Sequence, residues 1–581
     1  MTTYTPPLDD MRFLLSQMVG IENLKELPGC GDLDQELVDQ ILEEAAKFAS
    51  NELAPLNEIG DQQGARLDNG IVRTPDGFKE AYRGFVDGGW NGLQFPEKYG
   101  GQGLPWTVAT AVSEMWHSAN MSFGLCPLLT QAGIELLLTF GTDEQRATYL
   151  EKLVSGEWTG TMCLTEPHAG TDVGALKTRA RQEGDHYLIE GTKIFITYGD
   201  HDYTDNVIHM VLARLPDAPE GSKGISLFIV PKFLVNDDGS LGDRNDLRPV
   251  SLEHKLGIHA SPTCVMSFGD NEGAIGYLVG EEQGGMKAMF TMMNNARLAV
   301  GLQGLSIAER AYQAALAYAQ DRVQGSKTED GETQPIRIAD YQDVKRMLLS
   351  MQCRVEAMRA MVYITAAALD RASKLDKGPQ QKAAKERVDL LIPLVKAWCS
   401  DMGFDIASDA VQVHGGMGFI EETGVAQHLR DARINMIYEG TNGIQALDLV
   451  GRKLFLADGA AITSLFQELE ADLASLDEGS IKRALKLGLD TLKDATSWLR
   501  DDKRTSTARS AGATPYLRLF ATVLGSFLLA RTMRLAETSG QADAIARIDS
   551  THFYIQQILP PALSLLPAIK IGKIPEPRLA S

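Results

Sequence analysis

A glutamate that could act as a general base lies in the segment Tyr438-Glu439-Gly440-Thr441. A carboxylate that removes a carbon-bound proton must be held on a rigid turn away from water, because burial raises its pKa toward neutrality. Gly440 carries no side chain, so another molecule can approach the backbone beside the glutamate. The same residues also suit a solvated turn at the end of a helix. A second segment upstream decides between these interpretations.

The second segment reads Met162-Cys163-Leu164-Thr165-Glu166-Pro167-His168-Ala169-Gly170-Thr171-Asp172, and Lys193-Ile194-Phe195-Ile196-Thr197 follows it. Taken singly, its threonines would be ordinary strand residues. In this order and spacing, together with Tyr438-Glu439-Gly440-Thr441, the segments resemble the flavin-binding and base motifs of the acyl-CoA dehydrogenases. The resemblance extends from about residue 40 to about residue 455.

The resemblance implies that the chain binds FAD. Thr165 would bond to the pyrimidine side of the flavin ring, and Thr197 would place a hydroxyl near the hydride-accepting nitrogen. Thr171 stands where serine is commoner and would keep a hydroxyl for a phosphate oxygen. Phe195 stands where many relatives carry tryptophan, and would pack against the ring without an indole donor. The implied FAD contacts of this region are Met162, Cys163, Leu164, Thr165, Gly170, Thr171, Phe195, Ile196 and Thr197.

Further FAD contacts are implied downstream. The segment from Gln412 to Phe419 resembles the loop that receives the adenosine half of FAD from a neighbouring subunit. Arg322 matches an arginine that pairs with the pyrophosphate across the dimer interface, although Val323-Gln324-Gly325 replaces the more frequent Thr-Phe-Gly. Thr441, Asn442 and Gly443 follow the base and would face FAD, with Gly443 where glutamine is usual. The contacts implied in these segments are Arg322, Gln412, Gly415, Gly416, Thr441 and Gly443.

The same resemblance implies that Arg297, Tyr438 and Gly440 contact the substrate. Arg297 matches the arginine beside the catalytic carboxylate. In some relatives the base precedes this arginine, but Ala296 stands there and cannot accept a proton, so the catalytic role stays with Glu439. Glu439 would remove the proton α to a thioester carbonyl while the β carbon passes hydride to the flavin, which leaves a trans α,β double bond.

The elements that must position these residues change character twice along the chain. Helical periodicity from Asp34 to about Leu153 gives way to strand-like runs between residues 185 and 233. Helical periodicity returns near Gly284, interrupted by a polar stretch from Gly325 to Arg337 that predicts an exposed loop. We predict an α+β, mainly α fold. Its four domains would be N-terminal helical (1–158), middle antiparallel β (159–283), a C-terminal four-helix bundle (284–455) and an extra C-terminal helical domain (456–581).

Length and composition limit the classes of function. A chain of 581 residues is too long for one ordinary core, and its net charge of −21 argues against sequence-independent nucleic-acid binding. The six cysteines are scattered, which predicts free thiols in a reducing compartment and no metal site. No signal peptide is visible, and the longest apolar run, Leu519 to Ala530, falls short of the ~20 residues that cross a bilayer. We predict a cytoplasmic protein without a transmembrane segment.

The substrate and the electron acceptor stay open at this level. The long chain with its helical tail resembles a bacterial subgroup with 3-methylmercaptopropionyl-CoA among its substrates. The same architecture also serves fatty acyl-CoAs of β-oxidation, from short to long chains. Electrons would pass to electron-transfer flavoprotein, or to dioxygen if the chain were an acyl-CoA oxidase. A DNA-binding flavoprotein of this fold is a remote alternative, disfavoured by the near-neutral tail, and a homodimer is expected.

Overall fold

The structure is a computed structural model that describes residues 4–329, 332–539 and 544–577. The chain forms two compact units. The first, called the helical unit, comprises Met1–Ala46, Pro105–Ser118 and Arg297–Ser581. The second, called the sheet unit, comprises Lys47–Leu104 and Ala119–Ala296.

The N-terminal third of the chain is helical, as predicted, with one short two-stranded hairpin. Asn120 begins α7 by accepting a hydrogen bond from the Phe123 amide at 3.0 Å. Thr142 and Gln145 begin α8 with a reciprocal capping box, in which each side chain accepts from the other residue's amide. The elements are α1 (Leu8–Phe13), α2 (Ile21–Lys25), α3 (Gln35–Phe48), α4 (Leu56–Gln63), β1 (Arg66–Asp68), β2 (Ile71–Arg73), α5 (Phe78–Asp87), α6 (Trp106–Ala119), α7 (Met121–Phe140) and α8 (Asp143–Ser155).

The middle of the chain forms an eight-stranded sheet in the order β10-β11-β5-β12-β7-β6-β3, with β4 paired to β5 and β6. The prediction of an antiparallel sheet is right for most pairs but wrong for β3, which runs parallel to β6 along its length, and for β4, which meets β6 in parallel at one residue pair. A parallel pair needs a long crossover connection, and here that connection includes β4 and β5. The strands of this sheet are β3 (Thr159–Cys163), β4 (Arg179–Glu183), β5 (His186–Thr197), β6 (Val207–Arg214), β7 (Ile225–Pro231), β10 (Leu247–Leu252), β11 (Thr263–Phe268) and β12 (Ala274–Leu278). Between β7 and β10, β8 (Phe233–Val235) and β9 (Leu241–Arg244) form a separate two-stranded sheet.

Helices dominate the remainder of the chain. The expected exposed loop between 325 and 337 is instead a two-stranded hairpin, although its described residues are mostly exposed. Its composition resembles a loop because neither face of this hairpin is buried. The elements are α9 (Gly285–Asp321), β13 (Val323–Glu329), β14 (Glu332–Arg337), α10 (Gln342–Lys374), α11 (Pro379–His414), α12 (Val425–Ala432), α13 (Asn442–Gly451), α14 (Ala460–Ala474), α15 (Ser480–Arg500), α16 (Ser506–Ala511), α17 (Ala513–Ser539), α18 (Ala544–Phe553), α19 (Leu559–Leu563) and α20 (Leu566–Ile569).

The long helices of the helical unit share one core. α9 and α11 approach closely at Gly304, where an added Cβ would lie 2.4 Å from the Cys399 carbonyl oxygen. α17 of the C-terminal extension packs against α10, α11 and α13, so the extension shares the core of the helical unit. The mainly helical fold with a middle β-region is therefore confirmed.

Two helices, α7 and α17, are long and apolar enough by composition to cross a membrane. Both are mostly buried within the described structure, at 72% and 83% of their most apolar windows. α17 contains the apolar run from Leu519 to Ala530, which the helix extends at both ends. Core helices of folded proteins show the same composition, so these two helices are weak evidence for a membrane span.

Candidate active site

Glu439 lies on a left-handed turn immediately before α13. Its φ is 54° and that of Gly440 is 81°. A left-handed conformation costs a non-glycine residue about 1–3 kcal/mol, and such residues cluster at functional sites. Gln445, in the first turns of α13, donates from Nε2 to the Gly440 carbonyl at 3.2 Å. The turn therefore fixes the Glu439 backbone relative to α13.

Two cationic side chains of the helical unit act on the Glu439 carboxylate. Arg297 of α9 is 7% exposed and Lys396 of α11 is 0% exposed. Burial raises the pKa of Glu439, and the positive charges of Arg297 and Lys396 oppose the rise. Burial lowers the pKa of Lys396 to about 7, although the charges of Glu439 and Asp401 favour its ammonium form. A carboxyl with a raised pKa and fixed charge partners has the properties of a general base.

Among the buried polar atoms of the helical unit that lack a hydrogen-bond partner within the described residues are Arg297 Nε, Gln303 Nε2 and Gln445 Oε1. Gln303 accepts a short hydrogen bond from the Tyr438 hydroxyl, which also reaches Asn435 Oδ1 at 3.2 Å. An unpaired buried polar group costs about 1–3 kcal/mol. A bound polar ligand would remove part of that cost, as expected at a binding site.

The residues predicted around the base come together at the turn and the first residues of α13. Arg297 Nη2 would lie 3.6 Å from a Cβ added to Gly440, which places the guanidinium beside the turn. Thr441 precedes α13 as its N-cap, and Gly443 lies in its first turn. Asn442 differs from the expectation that it faces FAD. Its Nδ2 donates to the Ala397 carbonyl at 3.1 Å and to Asp401 Oδ1 at 2.6 Å, so the side chain faces α11.

Arg322 and the segment from Gln412 to Phe419 form a second group of predicted contacts in the helical unit. They lie at the C-terminal ends of α9 and α11. The rings of Tyr318 and His414 stack there with centroids 4.3 Å apart, which joins the two helix ends. Gly415 and Gly416 face open space, where an added Cβ would meet nothing within 4 Å. The side chains of Arg322 and Gln412 are exposed. All four predicted contacts are therefore accessible from solvent.

In the sheet unit, the two predicted flavin segments lie side by side. The Ile194 amide donates to the Thr165 carbonyl at 2.9 Å, which joins the end of β3 to the end of β5. Glu166 and Ala169 exchange two backbone hydrogen bonds of 3.0 Å, and this tight turn leaves Gly170 and Thr171 exposed. The segment after β3 is therefore a compact surface loop, called the β3 loop (164–171).

The predicted flavin contacts of the sheet unit differ in how far their side chains are buried. Cys163 is fully buried in the sheet core, where burial raises the pKa of its thiol to about 12. Ile196 is buried beside it, so both residues can reach a ligand only through their backbone. Phe195 is 59% exposed and has a φ of 59°. An exposed aromatic residue in a left-handed conformation has the features of a ligand contact.

A buried ion pair supports the β3 loop. Lys193 Nζ lies 2.8 Å from Glu166 Oε1 and also donates to the Leu164 carbonyl at 3.1 Å. Glu166 accepts from the Lys177 and Thr178 amides at 2.7 and 3.0 Å. Burial alone would raise the pKa of Glu166, but the Lys193 charge and these hydrogen bonds hold it below its usual range. The pair is therefore ionised and ties the loop to β5.

Sequence reasoning assigned no role to five residues that shape the site: Glu166, Lys193, Gln303, Lys396 and Gln445. A signal for one of them is present in the sequence. Lys396 interrupts the apolar run from Leu390 to Cys399 in the middle of a long helix. A lysine at such a position is rarely buried without a charged or polar partner, so the pattern predicts a buried functional contact.

Family models match almost the whole chain. They are the N-terminal, middle and C-terminal domains of acyl-CoA dehydrogenase, at residues 35–157, 161–271 and 283–455. A fourth model, described as acetyl-CoA dehydrogenase C-terminal like, matches residues 465–574. The chain belongs to the acyl-CoA dehydrogenase family. It is therefore an oxidoreductase of an FAD-dependent family.

Individual acyl-CoA dehydrogenases resemble the chain along nearly its full length. A 3-methylmercaptopropionyl-CoA dehydrogenase of Ruegeria pomeroyi is 45% identical over 96% of both chains. A butyryl-CoA dehydrogenase of Syntrophomonas wolfei is 32% identical over 98% of this chain and 97% of its own. A crystal structure of an acyl-CoA dehydrogenase complexed with FAD from Bacillus anthracis has a TM-score of 0.74. It covers 94% of this chain and 89% of that one at 22% identity, a likeness of fold alone.

Proposed function

We propose that the chain oxidises an acyl-CoA thioester to its trans α,β-unsaturated product, with Glu439 as the base and FAD as the cofactor. The observation that supports this most directly is the setting of Glu439. Its carboxyl is held on a left-handed turn, burial raises its pKa, and two buried cations, Arg297 and Lys396, act on it. A general base for a weakly acidic C–H bond needs a raised pKa and a fixed position.

Each residue around the turn has a separate part in proton removal. Glu439 accepts the proton from the carbon α to the thioester carbonyl. Tyr438 is held by Gln303 and Asn435 and therefore fixes the backbone from which Glu439 projects. Gly440 carries no side chain, and an added Cβ would lie 2.7 Å from Gln445 Nε2 and 3.6 Å from Arg297 Nη2, so the turn can pack against both groups only with glycine at this position. Backbone N–H groups of such a turn can stabilise negative charge that develops on the carbonyl oxygen.

The residues predicted to hold FAD fit such a group. Phe195 presents an exposed aromatic face, and Thr165 and Thr197 are half-buried on adjoining segments. Gly170, Gly415 and Gly416 have open space where a side chain would otherwise lie, so a phosphate or ribose can approach their backbone. The proposed contacts through Met162, Cys163, Leu164 and Ile196 are backbone contacts. FAD, when bound, supplies the acceptor for the hydride that leaves the β carbon.

The substrate, the acceptor and the assembly belong to the proposal. We propose 3-methylmercaptopropionyl-CoA as a substrate because the Ruegeria pomeroyi relative of that name is 45% identical along 96% of the chain. A short fatty acyl-CoA is the second candidate, favoured by the full-length likeness to a butyryl-CoA dehydrogenase. Electron-transfer flavoprotein is the proposed acceptor. A cytoplasmic homodimer remains a prediction.

Anaerobic reduction of the purified flavoprotein tests this proposal. The protein is mixed with 3-methylmercaptopropionyl-CoA, butyryl-CoA or a long-chain acyl-CoA, and the loss of visible flavin absorbance is followed. We expect rapid bleaching with at least one thioester and none with the corresponding free acid. A protein that binds no FAD, or that no acyl-CoA bleaches, would overturn the proposal. Peroxide formed at the turnover rate in air, without another acceptor, would show an oxidase instead.

A further inference from the structure

Lys396 is a fully buried lysine in the middle of α11, on the helical unit that carries Glu439. Lysine is among the residues least often buried, because desolvating an ammonium group is costly unless it is paired. The neighbours Leu394, Val395, Ala397 and Trp398 are apolar and buried. Filling this core position would favour an apolar residue, so the ammonium group requires another explanation.

The hydrogen bond of Lys396 leads directly to the start of α13. Its Nζ donates to Asn442 Oδ1 at 3.0 Å. Ser400 Oγ and Asn442 Nδ2 are 3.0 Å apart, and Asn442 Nδ2 also donates to Asp401 and to the Ala397 carbonyl. Asn442 is the first residue of α13, three positions after Glu439. These contacts fix the first turn of α13 to α11. They thereby also fix the preceding turn, residues 438–441, which carries Glu439 and is called the base turn.

Charged groups from three helices surround Lys396 and Glu439. Glu439 and Asp401 favour the charged form of Lys396, and Arg297 of α9 disfavours it. On Glu439 itself, Arg297 and Lys396 both favour the carboxylate. Arg297 in turn interacts with Asp448 of α13 and with Arg452, the residue that follows α13. Asp448 is also hydrogen-bonded to Arg452, so its charge acts on both Arg297 and Arg452.

We propose that Lys396 is a positioning residue for the base: it fixes the turn through Asn442 and favours the ionised form of Glu439. This inference rests on the proposed function of Glu439. Its predicted effect is specific, since a merely structural lysine would not change the protonation of the base. Removing the ammonium charge should raise the pKa of Glu439, because a nearby cation stabilises the carboxylate.

The pH dependence of flavin reduction in Lys396→Met tests the electrostatic part. In a plot of the flavin reduction rate against pH, the rate falls at low pH as Glu439 becomes protonated, and this fall is called the acid limb. Loss of the cation should move the acid limb to higher pH by about one unit or more. The rates of variant and wild type should converge above the pKa of Lys396, which is about 7, because the wild-type lysine is then neutral as well. Lys396→Arg keeps the charge and should keep the acid limb of the wild type.

Lys453→Met is the matched control. Lys453 is also a buried lysine of the helical unit, 4% exposed, and it pairs with Asp389 of α11 at 2.7 Å. We expect that variant to lose stability without a shift of the acid limb. An unshifted limb in Lys396→Met, or an equal shift in both variants, would overturn the inference. If acyl-CoA fails to bleach the wild-type flavin, the proposed function is wrong. That result is distinct from an unshifted acid limb in Lys396→Met, which would overturn only the inference about Lys396.

A measurement without turnover keeps the inference testable if Lys396→Met does not fold. NMR titration of 13C-labelled lysine should show Lys396 with a depressed pKa in the substrate-free protein. In Glu439→Gln this pKa should fall further, because the carboxylate that favours the ammonium is gone. A Lys396 titration that is identical in wild type and Glu439→Gln would overturn the inference.

Discussion

Lys193 Nζ and Glu166 Oε1 lie 2.8 Å apart, and their side chains are 0% and 3% exposed. The pair joins β5 to the β3 loop, and Lys193 also holds the Leu164 carbonyl at 3.1 Å. Glu166 in turn holds the Lys177 and Thr178 amides. One ion pair thus sets the conformation of the loop that is proposed to contact FAD.

Lys193→Met should lower both the stability of the protein and its affinity for FAD. Removing one partner leaves the Glu166 charge buried, which costs about 3–5 kcal/mol. Urea unfolding of the FAD-free protein and fluorescence titration with FAD measure the two effects. Arg248→Ala is the control, since the Arg248–Asp270 pair of 2.8 Å on the same sheet is largely exposed and should contribute only about 0–1 kcal/mol. An equal free energy of unfolding for Lys193→Met and the wild type would contradict the prediction.

Gly440→Ala should disrupt the base turn. The φ of Gly440 is 81°, and a Cβ added at this residue would lie 2.7 Å from Gln445 Nε2. We expect a loss of about 1–2 kcal/mol from the left-handed conformation, and turnover lower by about a hundredfold because the Glu439 carboxylate is displaced. Turnover with ferrocenium and thermal melting report the two effects. Gly451→Ala, at the C-terminal end of α13 with nothing within 4 Å of its added Cβ, should retain turnover. Unchanged turnover in Gly440→Ala would show that the turn is not critical.

Phe195→Gly should separate stability from cofactor binding. Glycine relieves the left-handed conformation at φ 59°, so the free energy of unfolding of the FAD-free protein should rise by up to about 1 kcal/mol. Loss of the exposed aromatic face should weaken FAD binding about tenfold. Asn69→Gly, at an exposed left-handed residue with φ 52°, is the control and should leave FAD affinity unchanged. An unchanged FAD affinity in Phe195→Gly would remove the ring contact from the proposal.

The sequence predicted the type of most elements because their periodicities are long and regular. α9 and α10 carry apolar residues at helical spacing, and the strands between 186 and 230 are bounded by Gly, Asp and Pro. The hairpin at 323–337 was predicted as a loop because it has no buried face to impose an alternating pattern. The parallel pairing of β3 with β6 depends on a long-range partner that the pattern of β3 alone does not specify.

For the candidate site, the sequence indicated which segments to consider, but it did not indicate side-chain directions. The motif Tyr438-Glu439-Gly440-Thr441 predicted a turn around Glu439, and Arg297 lies beside that turn. The side chain of Cys163 lies in the sheet core because alternate residues of β3 face opposite sides, so the predicted contact with FAD stays a prediction for its backbone alone. Asn442 faces α11 because its first-turn position on α13 is packed against that helix. Lys396 was missed because its partner is 46 residues away in the chain.

The reduction rate of Glu439→Gln tests the central claim most directly. The substitution keeps the size of the side chain and removes its ability to accept a proton. Glu356→Gln is the matched control, because Glu356 is another half-buried glutamate of the helical unit, and burial raises its pKa to about 7. With FAD bound to both variants, we expect anaerobic flavin reduction by acyl-CoA to slow by roughly two to four orders of magnitude in Glu439→Gln and to stay unchanged in Glu356→Gln. Reduction of Glu439→Gln at the wild-type rate would contradict the assignment of Glu439 as the base.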